Sequence, residues 1–427
     1  MINWIMRRRP RRKLFRLEHF VYRTAGLPVA CRAIVAPPSS PFDRALARQY
    51  WRPSRLNQWL ELVGAAVLLP LSLPASIAFY LARNGPRIRQ REAVSISRQF
   101  RDQIRLYFAA GVLPPWYYAF ELYRDRSRDG ASHFLHRFKT HGGVYDVIRG
   151  ECRSPLNDKR KFADHCALND IPHIHHLFCL DRGSPAPLDL PHCDLFVKPL
   201  TGRGGKGADR WDYVSDSLFR SPSGDQLSSG ELAALLCRRA RKRALIVQPR
   251  LTGHQALRSL STGALSTVRV LTCINESGEP EVVEAVFRMA IGRNRTVDNI
   301  HAGGIAADVA IASGQLGRAS NLGFDARLGW LSVHPDTGAR IEGLVLPLWS
   351  EVKALANRAH RAFADRTIVG WDIAILDDGP ILVEGNSSPD LDLHQRPSQR
   401  GLIDSRFGHL LAMHLTERLG PPAVAAG

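Results

Sequence analysis

The chain is short of acidic residues, lacks a CxxC cysteine pair and has no apolar core within Met1–Arg16. Its 40 Asp and Glu stand against 58 Lys and Arg, a formal charge of +18 that comes mostly from arginine. Such a balance attracts polyanions: nucleic acid, anionic lipid headgroups or phosphorylated substrates. Seven scattered cysteines without a CxxC pair argue against a disulfide framework and suggest reduced thiols in a cytosolic compartment. Met1–Arg16 has no apolar core, so no cleavable signal peptide is expected. Other signatures are missing too. The glycine-rich stretch at 202–207 is not a Walker A loop, because Lys206 is followed by Gly207 rather than Ser or Thr. No HRD or DFG element follows it. No RNA- or DNA-binding motif accompanies the basic charge, so a nucleic-acid partner is not expected.

What is present begins with length. At 427 residues and 44% hydrophobic, the chain is long enough for two or three domains and for a large interior. Residues 1–58 are basic and punctuated by proline. Leu62–Ala82 then runs 21 residues without a charge, enough to cross a bilayer. Pro70 and Pro74 predict a kink, and arginines flank both ends, so the positive-inside bias gives no orientation. Three placements stay open: a hairpin-like or interfacial element on an anionic membrane, a span, or a buried helical pair. The first accounts best for arginines on both sides. Residues 86–125 carry apolar positions near the helical period, with Gly111 as a stop and Pro114-Pro115 heading a second helix. The aromatic run Trp116–Tyr123 reads as packing rather than as a stacking platform.

From about Gly142 the texture changes to short strands, glycine turns and helices. Lys159–Asn169 predicts a helix, followed by Ile171-Pro172 and a strand. His173, His175, His176 and Cys179 lack a second ligand pair at finger-like spacing and are expected as solvent-facing strand positions. Leu195-Phe196-Val197 delivers Lys198 on a buried strand, ahead of the loop Gly202–Gly207. Backbone N–H groups at its glycines can approach phosphate oxygens, and Arg203 and Lys206 add charge. Ala244–His254 is an apolar strand entering a polar connector that can offer backbone groups to a base edge. Arg269 and Arg288 stand on two further strands, where a cation needs an anionic partner to offset its desolvation. The loop Asn299–Gly304 offers an amide, an imidazole and paired glycines, and a helix is expected over Pro347–Ala364.

The last element, Ile368–Asp390, predicts a hairpin. With Asp377-Asp378-Gly379 as a three-residue loop, residue 376 faces 380, 374 faces 382, and 372 faces 384. Asp372, Glu384 and Asn386 then share a face, a hard-oxygen set suited to magnesium held with substrate phosphates. The alternative is an ordinary acidic hairpin end, with the turn slipped by one residue and Asp372 facing away.

Taken in order over roughly 155–396, these parts resemble the ATP-grasp superfamily. Asp158-Lys159 resembles the first ATP lysine of that group, and Phe196-Val197-Lys198-Pro199 with its glycine loop resembles the second. Gln248–Leu251 is similar to the adenine hinge, implying contacts from the Pro249 carbonyl and Leu251 N–H. His254 or Gln255 falls where a ribose contact is expected. Asp372, Glu384 and Asn386 resemble the magnesium triad. Pro114–Tyr123, Thr267–Thr272, Asn299–Gly304 and Gly370–Ile375 most resemble the sugar-transfer-associated branch, which is linked to polysaccharide biosynthesis. One departure stands out: many ligases of the superfamily carry arginine two residues before the metal aspartate, where this chain has Gly370.

The resemblance implies an α+β fold of two lobes clasping ATP over 141–400. A basic segment (1–58) and a helical, membrane-associated region (59–140) precede it, and a C-terminal helix and tail (401–427) follow. It implies ATP and Mg2+ as cofactors. Lys159 and Lys198 would hold phosphates, and the amides of Gly204 and Gly205 would close over them. Arg269, Arg288, Asn299 and His301 are expected on the acceptor side. The implied reaction joins a small-molecule or sugar-linked carboxylate to an amine through an acyl phosphate, in the cytoplasm or at the inner face of the membrane. The rival readings are a non-ligating, ATP-binding membrane-peripheral assembly protein and, on charge alone, a nucleic-acid-binding protein.

Overall fold

The computed structural model describes residues 17–420 apart from 36–37, 39, 52–55, 151, 185–187, 202–206, 216 and 293–295. The described chain falls into two compact units. One comprises the residues up to Ile148 with Phe324–Ala326 and the chain from Ala412; the other comprises Arg149–Gly323 and Arg327–Leu411.

The first unit is helical. Its main elements are α1 (Leu17–Val35), α2 (Pro41–Trp51), α3 (Leu56–Glu92), α4 (Ile96–Ala110) and the short α5 (Pro114–Ala119). Local chemistry sets the ends of α4. The Ser95 hydroxyl accepts the Arg98 N–H at 3.2 Å, and Gly111, at φ 67°, donates its amide to the carbonyls of Leu106 and Tyr107. The aromatic run packs inward as expected, with Trp116, Tyr117, Tyr118, Phe120 and Tyr123 all buried. The apolar stretch differs from expectation. It is neither a hairpin nor a helical pair, but the middle of one 37-residue helix that continues through Pro70, Pro74 and Pro86.

The second unit is built on two antiparallel sheets. The first holds β1 (Phe178–Leu180), β2 (Leu195–Pro199), β3 (Asp209–Ser215), β4 (Leu218–Arg220), β5 (Gln226–Ser228) and β6 (Leu245–Pro249), in the order β1-β6-β2-β3-β4-β5. The second holds β7 (Thr267–Ile274), β8 (Pro280–Met289), β9 (Ile305–Val309), β10 (Leu316–Ser320), β11 (Ile368–Leu376) and β12 (Gly379–Asn386), ordered β10-β9-β8-β7-β11-β12. β7 and β11 lie inside the second sheet, and nearly every residue on them is buried. A polar side chain on either strand therefore needs a protein or ligand partner. The helix Trp349–Ala362 covers this sheet through Trp349, Val352, Leu355, Ala356 and Ala359. The expected strand after Pro172 is absent: His173 is buried and meets Leu382 in a single bridge, and pairing starts only at Phe178.

The closing hairpin turns one residue tighter than its loop suggested. Leu376 pairs with Gly379, Ile375 with Pro380, and Ile373 with Leu382, so the loop is Asp377-Asp378 alone. That slip would have turned Asp372 away from Glu384. A β-bulge between Asp372 and Ile373 absorbs the extra residue, and Asp372 stands opposite Glu384 after all. Gly370 then faces Asn386, which places all three oxygen-bearing side chains on one face.

Candidate active site

A cavity within the second unit is lined from both sheets. The first sheet contributes Phe196, Lys198, Arg210 and the Gln248–Leu251 connector; the second contributes Thr267, Arg288, Asp372 and Glu384. Lys159 joins them from the first turn of the helix Lys159–Leu168, whose N-cap Asp158 accepts the amides of Arg160 and Lys161 at 3.1 and 3.2 Å. Asp298 and Asn299 close another wall. Five basic side chains (Lys159, Lys198, Arg210, Arg250, Arg288) face three carboxylates (Asp298, Asp372, Glu384), a surplus that suits a polyanion.

Lys198 comes from β2, where its neighbours Val197 and Pro199 are buried. Burial pushes its pKa down to about 8, Lys159 adds to the effect, and Glu384 and Asp372 oppose it. The Lys159 ammonium reaches the Leu200 carbonyl at 3.5 Å. In the connector, Gln248 is buried, and Arg250 is held by Asp194 at 2.8 Å and by the Gly263 carbonyl at 3.1 Å. With Arg250 fixed on both sides, the adjacent Leu251 amide lines the cavity and has no acceptor among the described residues. An orphan N–H beside the apolar Phe196 is what a purine edge requires.

At the other end, Asp372 sits between two guanidinium groups. Arg269, directly across from it on β7, takes both carboxylate oxygens: Nε donates to Oδ1, and Nη2 to Oδ2 at 3.0 Å. Arg288 reaches Oδ2 at 3.1 Å. All three are buried. Burial alone would raise the Asp372 pKa, but the charges of Arg269 and Arg288 hold it below the usual carboxylate range. Arg288 also donates to the Thr267 hydroxyl and lies 3.5 Å from Asp298. Asp298 in turn accepts from the Thr267 amide and hydroxyl at 2.9 and 2.6 Å. The anionic partners that strand arginines demand are thus supplied, in this state, by the protein itself.

The structure also explains Gly370. A Cβ there would lie 2.8 Å from Pro389 Cβ and 3.4 Å from Arg269 Cδ. The space that a side chain two residues before Asp372 would need is filled by Pro389 and by the arginine from the neighbouring strand. Gly370→Ala is expected to lower stability by roughly 1–3 kcal/mol through overpacking. Gly370→Arg should lower it further rather than improve activity. Urea denaturation midpoints read both, and an unchanged midpoint for the alanine variant would refute the steric account.

Other expected residues lie elsewhere. Asn386 shares the face of Glu384 but donates to the Gly370 carbonyl at 3.4 Å and does not line the cavity. Asn299 lines it, yet its side-chain oxygen accepts the His301 amide, and His301 itself is half exposed, 3.4 Å from Asp390. His254 and Gln255 are not brought to the cavity. Their amides bind the Ile375 carbonyl and the Asp377 carboxylate, so the connector is anchored to the hairpin turn. Gly204 and Gly205 lie outside the described residues. Among the described residues no cluster of three His, Cys, Asp or Glu is placed to hold a metal. Four groups escaped the sequence reading: Thr267 and Asp298, and the cavity-lining Arg210 and Arg250. The signal for Asp298 was present, an acid adjoining the Asn299–Gly304 loop.

For magnesium the fit rests on donor chemistry. Asp372, Glu384 and Asn386 are hard oxygen donors on one face, and Glu384 opens into the cavity beside both lysines. Asp372 is already held by Arg269 and Arg288 and Asn386 stands outside the lining, so a cation here would draw its remaining ligands from a bound phosphate.

A family profile described as sugar-transfer associated ATP-grasp matches residues 171–408, more than half of the chain. No curated protein matches it by sequence. Similar solved structures include D-alanine–D-alanine ligase from Bacillus anthracis, at 15% identity and TM-score 0.35, covering 62% of this chain and 67% of that one. A D-cycloserine synthetase shares 16% identity at TM-score 0.34, covering 72% and 82%. D-alanyl-alanine synthetase A from Vibrio cholerae shares 13% at TM-score 0.38, covering 62% and 65%. The profile match spans β1 through β12 and so takes in both sheets and most of the cavity between them. The chain is a member of the sugar-transfer-associated ATP-grasp family, with the α+β fold of that family preceded by a helical region.

Proposed function

We propose that the protein is an ATP- and magnesium-dependent ligase that joins a carboxylate to an amine through an acyl phosphate. The observation that carries this reading is one cavity with two chemically distinct ends. The Gln248–Leu251 connector offers at one end the Leu251 amide, which has no acceptor among the described residues; Lys198, Arg288, Asp372 and Glu384 stand at the other. Lys159 and Lys198 bind and orient the phosphate chain by charge-assisted hydrogen bonds. Magnesium, when bound with the nucleotide, neutralises charge that develops on the transferred phosphoryl group. A substrate carboxylate oxygen attacks the γ-phosphorus, and ADP leaves. The amine then attacks the acyl carbon and expels phosphate, giving an amide and releasing one proton. Arg288 and Asn299 border the same space, and with Arg269 and His301, which stand outside the cavity lining, they are our candidates for the acceptor side.

The family description supports an acceptor of the saccharide-assembly kind, that is, small-molecule or sugar-linked acids and amines used in polysaccharide or cell-envelope biosynthesis at the cytoplasmic face. Incubation with acid and amine pairs of that class should release ADP and phosphate in equal amounts, and Glu384→Ala should abolish the release. AMP as the sole nucleotide product would overturn the acyl-phosphate step. ATP binding without turnover on any pair would favour a non-ligating nucleotide-binding protein.

A further inference from the structure

The helical unit carries an apolar surface that the nucleotide cavity does not explain. Along α3, Val63, Val67, Leu71 and Phe79 recur at multiples of four and are 56, 67, 72 and 57% exposed. Val63, Val67 and Leu71 follow one i,i+4 row, and Phe79 lies further round the same exposed side of the helix. The opposite stripe, Ala65, Leu73 and Ile77, is buried inside the unit. No charge interrupts Leu62–Ala82, which at 1.5 Å per residue extends about 30 Å. α4 packs along the edge of this face: Phe100, Ile104 and Phe108 line an apolar groove with Leu69, Leu73 and Ile77 and with the exposed Pro70 and Pro74, which follow Val67 and Leu71 by three positions. Phe100 and Phe108 are 44 and 55% exposed.

Charge stands at the edges of this surface. Arg101 and Arg105 follow Phe100 and Ile104 by one position, so a basic row runs beside the phenylalanine row. Arg89 is exposed beyond the apolar part of α3. None of these three has a carboxylate partner among the described residues, although neighbouring Arg83 and Arg98 do. An apolar strip bordered by unpaired arginines matches the cross-section of a bilayer surface, hydrocarbon under the strip and anionic headgroups at its margin.

We propose that α3 and α4 together form a docking surface that lies in the headgroup region of an anionic membrane without crossing it. A second copy of this chain is a poor occupant, because a two-fold contact would bring basic rows of a +18 chain against each other. Spanning is also disfavoured. α4 runs beside the middle of α3, so crossing would carry Arg101, Asp102 and Arg105 to hydrocarbon depth. The surface lies wholly within the helical unit, so the proposal stands or falls independently of the ligase reading.

The test is flotation of the full-length protein with vesicles of phosphatidylcholine alone or mixed with phosphatidylglycerol. The wild type should float with the anionic vesicles and lose this binding as salt is raised. Val67→Glu with Leu71→Glu should lower partitioning about tenfold or more. Arg101→Glu with Arg105→Glu should remove the preference for phosphatidylglycerol while leaving the apolar stripe intact. Both pairs are exposed, and far-UV circular dichroism checks that each variant keeps its helices. Failure of the wild type to float would overturn the proposal, as would flotation unchanged by the glutamates. Sedimentation showing a dimer that Val67→Glu with Leu71→Glu dissociates, with no vesicle binding, would assign the surface to a second copy. Single cysteines at the two ends of α3 that label from opposite sides of a sealed vesicle would establish a span and reject the interfacial placement.

Discussion

Asp372→Asn is expected to destabilise the protein by roughly 3–5 kcal/mol, because it leaves two buried guanidinium groups facing a neutral amide. Arg269 keeps no other anion in the described site, while Arg288 retains Asp298 at 3.5 Å. Against a total stability of about 5–15 kcal/mol, this is a large fraction. Urea denaturation measures it, and a loss below about 1 kcal/mol would mean that water, not Asp372, satisfies these arginines. Removing Arg269 together with the carboxylate should recover part of the loss, since the cycle takes away both partners of the pair. The pH dependence has a definite sign. The folded pKa of Asp372 lies below its unfolded value, so its stabilisation is complete above about pH 4 and fades as pH falls toward the folded value. The asparagine variant should therefore lose stability less steeply in acid than the wild type.

Lys198→Met is expected to weaken nucleotide binding by roughly 2–4 kcal/mol, on the order of 30- to 1,000-fold, while leaving the fold intact. Methionine fills the space of the lysine stem but supplies no charge to the phosphates. The wild type adds a second reading. With the Lys198 pKa pushed down to about 8, the free protein loses this charge as pH rises from 7 to 9, and affinity should fall over that range. The methionine variant should be flat there. Stability should move the other way: the folded pKa is below the unfolded one, so the unfolded chain binds more protons, and stability rises with pH between about 8 and 10. Titration calorimetry with a non-hydrolysable ATP analogue, at several pH values, tests binding. An affinity in the variant within about threefold of wild type would remove Lys198 from the phosphate site.

Much of the fold could be read residue by residue. Asp158 before Lys159 and Gly111 after α4 are local signals, each acting on amides or carbonyls a few positions away. Their meaning does not depend on distant chain, which is why the predicted helices appear close to their expected bounds. Lys198 and the two strand arginines were legible for a related reason: a cation inside an apolar run has to meet an anion. Which anion was not legible. Arg269 and Asp372 are 103 positions apart, and only the pairing of β7 with β11 sets them opposite each other. Within the described residues Arg269 meets Asp372, and Arg288 meets both Asp372 and Asp298.

The long apolar stretch shows the same division. Pro70 and Pro74 stand inside α3, which continues through both and packs against α1 and α4. Residue types alone carried the apolar content and its arginine flanks. They did not say which stripe faces inward, since that depends on where α4 lies.

The hairpin at the end of the chain marks the boundary most clearly. Alternation and turn residues placed two strands and three oxygen donors at 372, 384 and 386, because those preferences act between neighbours. Register is different, since one residue of slip turns every side chain to the other face. Here the turn is one residue shorter than its sequence suggested, and a bulge opposite Asp372 restores the pairing with Glu384. No local preference encodes that compensation. It follows from β11 being held on both sides, by β7 and by β12, so that packing of the whole sheet decides which carboxylates meet.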